Sequence, residues 1–147
     1  MSVADRIKQL AGIMDLPGFP KSAGIRLVSA EPGKVTMALK KKPELTQFFG
    51  HFHGGVITAL ADHAAGACAT TSMPEGKLAV TVEIKVNFLS PADGIELIAR
   101  AKTLKMSGSI GVATVEVFSK SESAEKLCAF GTATMRAMDL PAEFNAT

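Results

Sequence analysis

The 147-residue chain carries 16 Lys and Arg against 14 Asp and Glu, a net charge of +2, with 47% hydrophobic and 20% charged residues. That balance excludes a disordered or fibrous chain and is too weakly basic to imply nucleic acid as a partner. With no Trp or Tyr, the chain also lacks the aromatic–basic interleaving of single-strand binders, and its core must come from aliphatic residues, Met and Phe.

In chain order, Val3, Ile7, Leu10 and Met14 recur at helical spacing among Asp5, Arg6 and Lys8. They predict a short amphipathic helix over 3–14, ended by LPGFP at 16–20. The same stretch lacks the continuous apolar run of a secretory leader, and no segment reaches the ~20 apolar residues of a membrane span. The expectation is therefore a soluble, cytoplasmic chain of one domain, 1–147, in which 1–20 form an N-terminal helix and connector. Cys68 and Cys128 sit in apolar surroundings, GACAT and KLCAF, and read as buried, reduced small hydrophobes rather than a disulfide.

From 22 to 40 the pattern is strand-like: AGIRLVSA and KVTMALK flank EPG, a hairpin signal with Pro and Gly in the turn. After the connector KKPELTQFFG, residues 54–71 contain no proline and are dominated by Ala, Leu and Ile, which predicts a helix apolar on nearly every face and so buried. Residues 78–90 then alternate: Val80, Val82, Ile84, Val86 and Phe88 against Thr81, Glu83, Lys85 and Asn87. IELIARAKTLKM, IGVATVEVFSK and KLCAFGTATMRAM follow with gaps short enough for antiparallel neighbours. Two strands, one long helix and four more strands make an α+β domain, economically built as a curved six-stranded antiparallel sheet around one helix.

Asp62 is anomalous in that helix, because an unpaired buried charge costs several kcal/mol; the plainer alternative is an acid satisfied by a Lys or by His63, or turned to solvent. HFHGG stands where the helix begins. Its glycines, Gly54 and Gly55, allow close backbone approach, and the free N–H groups of a first turn favour negative charge. Such a terminus can bind a phosphate or polarise a carbonyl that becomes an oxyanion. Gly54 and Asp62 are separated by ~12 Å along a helix, whereas a base and an oxyanion donor must each lie within ~3 Å of their target atoms. A two-fold dimer with antiparallel helices brings the start of one beside the middle of the other, so the spacing predicts two shared sites per dimer.

These residues resemble the hotdog-fold acyl-CoA thioesterases, in particular the phenylacetate-degradation (PaaI-like) branch. The carriers are HGG at 53–55, Asp62 nine positions after His53, TVEIKVNFLSPA at 81–92 and FGTATM at 130–135, across about residues 22–138. The resemblance implies hydrolysis of an acyl-CoA to free acid and CoA by a homodimer, pairing into a homotetramer, with no metal or organic cofactor. By it, Asp62 is the general base or the nucleophile, and the Gly54 N–H polarises the thioester carbonyl. His53 orients the thioester or the helix start, and Thr81 holds the carboxylate or the water. Relatives commonly carry Asn where this chain has Gln47, one methylene longer. Gly55 and Phe48 fall on the substrate side. The family's basic residue after a glycine is Ser109 here, leaving Lys105, Arg100 or Lys102 to meet the CoA phosphates.

Three other readings compete. His51, His53 and His63 could join Asp62 around zinc, but the i, i+4 His pair of a helical zinc motif is absent and there is no CxxC. A hotdog dehydratase would use a His and an acid, which the HGG-plus-Asp spacing fits less well. A non-catalytic acyl-CoA sensor would keep the fold and drop the chemistry.

Overall fold

The computed structural model describes residues 1–144. Helix α1 (Val3–Met14) opens on Ser2, whose hydroxyl accepts from the Asp5 N–H while the Asp5 carboxylate accepts from the Ser2 N–H, closing a capping box. The predicted connector contains a second, five-residue helix, α2 (Phe19–Ala23). Pro20 suits a first helical turn, where its missing N–H costs nothing, and Gly24 ends the helix at φ 94°, in the left-handed region. The strand expected from residue 22 therefore begins only at Arg26.

Strands β1 (Arg26–Glu31) and β2 (Lys34–Lys40) form the expected hairpin, with Gly33 at φ 80° after Pro32, as a type II turn requires. A 3₁₀ turn at Pro43–Leu45 leads to α3 (Gly54–Thr71), followed by β3 (Lys77–Phe88), β4 (Glu96–Ser107), β5 (Ile110–Lys120), β6 (Glu125–Asp139) and a last 3₁₀ turn at Ala142–Phe144. All pairings are antiparallel, in the order β1-β2-β4-β5-β6-β3, which leaves β3 and β1 at the sheet's edges.

Helix α3 lies on one face of this sheet, the hotdog arrangement that the resemblance implies. Its Leu60, Ala61, Ala64, Cys68 and Ala69 are fully buried, as are Met37, Leu39, Leu97, Val115, Val117 and Met135 from the strands. The alanines let the helix sit close to the sheet, and each fully buried Leu or Val contributes about 1.5–3 kcal/mol. The helix is not enclosed on all sides, however: Gly55 is exposed, and Val56, Ala59, Asp62, His63 and Gly66 form a half-buried stripe along it. Both cysteines are free and buried. Burial pushes both thiols up, Cys128 to about 11. Among the described residues no helix is long and apolar enough to cross a membrane.

The long edge strand departs from its sequence pattern. A bulge between Thr81 and Glu83 sets Val82 outside the register with β6. Ala79 packs inward before the bulge, and Ile84 and Val86 pack inward after it, so the side-chain parity switches at Val82. Val80 and Val82, expected on the face of Ile84, are instead 42% and 60% exposed. Thr81, expected on the opposite face, points to α3.

Candidate active site

Helix α3 begins at an extended His53 (φ −65°, ψ 140°), the N-cap. Its Nδ1 accepts from the Gly55 N–H at 2.8 Å, and its carbonyl accepts from the N–H groups of Val56 and Ile57. Among the described residues the Gly54 N–H has no partner, so one donor stays free at the positive end of an 18-residue helix. A Cβ at Gly54 would stand 3.4 Å from the Phe88 ring; glycine keeps that amide approachable.

The preceding loop is pinned by a bridge between Thr46 and Phe52. Inside it the Gln47 Oε1 accepts from the Phe49 N–H at 2.6 Å and the His51 N–H at 3.3 Å. The longer side chain thus braces its own loop, and only its amide NH₂ remains to reach a ligand. Phe48 and Phe49, 89% and 72% exposed with ring centroids 4.4 Å apart, project from the same loop.

More than two turns along α3, Asp62 is half-buried, and its Oδ1 accepts from the Thr81 hydroxyl at 2.6 Å. The bulge makes this bond possible by turning Thr81 to the helix. Asp62 opens onto a cleft of ≈ 410 Å³ between α3, the start of β3 and the segment from α1 to Pro20. His63 lines the same cleft, and burial lowers its pKa while Asp62 opposes that shift, which favours the neutral imidazole. Among the described residues its buried Nε2 has no partner.

Because α3 is continuous from Gly54 to Thr71, the free amide and the carboxylate of one chain stay ~12 Å apart. The proposed phosphate contacts are also dispersed. Arg100 is paired with Glu125 at 2.9 and 3.1 Å and lies over the Phe118 ring. Lys105 is three strands from Thr81 through β5 and β6, roughly 14 Å at normal strand spacing. A different basic group stands nearer the helix start: Lys40, Lys41 and Lys42 line a cleft with Arg26, which is paired with Glu96 at 3.0 Å, and the Lys41 ammonium lies 5.4 Å from the Phe52 ring centre, one residue before His53. Three consecutive lysines were its signal in the sequence. Among the described residues no three of His, Cys, Asp or Glu converge as a metal site.

A six-stranded antiparallel sheet carrying one long helix on one face is the hotdog fold, the fold of a class of thioesterases. The chain belongs to the thioesterase superfamily, which residues 49–125 match. It is 30% identical over 105 residues to a 1,4-dihydroxy-2-naphthoyl-CoA hydrolase of Listeria monocytogenes, covering 71% of this chain and 85% of that protein. It is 32% identical over 111 residues to human acyl-coenzyme A thioesterase 13, covering 75% and 77%. Among solved structures, a thioesterase family protein from Silicibacter pomeroyi superposes with a TM-score of 0.88 at 30% identity, over 92% of this chain and 99% of that one.

Proposed function

We propose that the chain, acting as one domain, is an acyl-CoA thioesterase that works as a homodimer with sites shared across the two-fold axis. Asp62 of one protomer takes a proton from water, and the water oxygen attacks the thioester carbonyl. The carbonyl oxygen gains the negative charge and is met by the free Gly54 N–H of the partner's α3 and the positive end of that helix. Collapse of the tetrahedral intermediate breaks the C–S bond, and the proton held by Asp62 passes to the departing CoA thiolate. Thr81 occupies one carboxylate oxygen and leaves the other for the proton. Gln47, His53, Gly55 and Phe48 then belong to the partner's side of the site. Lys41, close to that helix tip, suits the phosphates of CoA better than the distant Lys105.

The reading is supported by the Thr81–Asp62 hydrogen bond in the wall of a largely apolar cleft. A carboxylate held by a hydroxyl and open to a ligand-sized space is placed as a general base must be. The dimer rests on the free edge of β3, where Val80, Val82 and Phe88 are exposed, and on the separation of Asp62 from its own helix tip.

Replacing Asp62 with Asn should lower thiol release from acyl-CoA by roughly 10²–10⁴-fold, the usual worth of a positioned base, while circular dichroism and thermal unfolding stay unchanged. A wild-type protein that binds acyl-CoA tightly but releases no thiol would be the sensor instead. Direct attack by Asp62 would form a mixed anhydride, and a single turnover in ¹⁸O water would then leave label in Asp62.

A further inference from the structure

Gly66 is a glycine that no packing among the described residues of its own chain requires. It lies inside α3, where glycine is the least favourable residue apart from proline. A Cβ built on it would meet nothing within 4 Å. It stands one turn after Asp62 on the same half-buried stripe, and both line the ≈ 410 Å³ cleft. From the carboxylate that cleft runs past Gly66 to Thr70. Its walls beyond Asp62 and His63 are mainly apolar: Leu10, Ile13 and Met14 of α1 on one side, Leu78 and Ala79 of β3 on the other. Arg6 of α1 donates to the Thr70 carbonyl at 2.8 Å, which ties the helical wall down at the far end.

We propose that this cleft is the acyl-chain site, that α1 is its wall, and that Gly66 sets the length of chain admitted. The inference rests on the reading of Asp62 as the catalytic base, since the thioester carbonyl must lie at that end. Asp62 to Thr70 spans eight residues of helix, ~12 Å. An extended chain advances ~1.2 Å per bond, a third of the rise of an extended residue, so about ten bonds fit before Thr70. The substrate class is a medium-chain, straight acyl-CoA of roughly eight to ten carbons. A side chain on Gly66 would enter the space of the chain's middle, while an acyl group of four carbons would end near it.

The test compares butyryl-CoA with decanoyl-CoA on the wild type, Gly66→Ala and Gly66→Leu, by thiol release, with thermal unfolding as the control. In Gly66→Leu the decanoyl-to-butyryl ratio of kcat/KM should fall at least tenfold, within the range one misfitted apolar group commands. In Gly66→Ala, which favours the helix, it should fall about threefold and serve if the leucine variant does not fold. Equilibrium titration of Asp62→Asn and Asp62→Asn/Gly66→Leu with the same two esters reads the cleft independently of turnover and should show the same loss of decanoyl preference. An unchanged ratio in both assays, or a wild type that treats the two esters alike, overturns the inference. Full turnover by Asp62→Asn would instead overturn the catalytic reading, and the Gly66 ratio would still report on the chain site.

Discussion

The Thr81 hydroxyl donates to one acceptor, the Asp62 carboxylate at 2.6 Å. A hydrogen bond to a charged group of this kind holds the base in one rotamer, and its loss costs on the order of 1.5 kcal/mol, about tenfold in rate. Thr81→Val should therefore lower kcat about tenfold with little change in KM, and Thr81→Ser should recover most of it; equal rates for the valine and serine variants would remove the positioning role. Asp62 stood out in the sequence only together with the HGG at the helix start, since a lone acid in a helix is more simply a paired or solvent-turned one. Thr81 was legible only through family resemblance. Its alternation with Val80 and Val82 argues for the wrong face, and a bulge cannot be read from a period of two that simply continues in letters while the backbone gains a residue. Gly66 left no periodic trace at all, since a glycine among alanines reads as another small helical residue.

At the scale of elements, the start of α3 is held by an unusual cap. Ser, Thr, Asp and Asn are the common N-caps, yet here an imidazole nitrogen accepts from the Gly55 N–H. His53→Ala should cost about 1 kcal/mol and lower Tm by roughly 3–5 °C. His53→Asn supplies a short capping oxygen and should restore Tm. Thiol release that remains low in the asparagine variant would add a substrate-orienting role to the capping one, and recovery of both together would leave the cap alone. The longer elements were legible for two reasons: α1 and β5 repeat their period several times, and α3 is a long proline-free run of Ala, Leu and Ile; all three begin and end within a residue of the sequence reading. Five-residue α2 was not, since it is little more than one turn and its signals, Pro20 and Gly24, equally mark a loop.

For the whole molecule, the separation of Gly54 from Asp62 along an unbroken helix turns the dimer into a question of arithmetic. Gly54 is the first residue of α3 and its N–H has no partner among the described residues, so Gly54→Pro deletes one donor at a position where proline's fixed φ suits the helix. The His53 backbone already has the extended ψ of 140° that a following proline demands. Alone, this variant should lose roughly 10²–10³ in kcat, as loss of an oxyanion donor does. Pairing Gly54→Pro with Asp62→Asn in a purified heterodimer places both defects in one shared site and leaves the other intact. Such a heterodimer should recover about half the wild-type turnover, with both parent homodimers nearly inactive. Sites contained within single chains would each keep one defect, and the mixed species would then be as inactive as its parents.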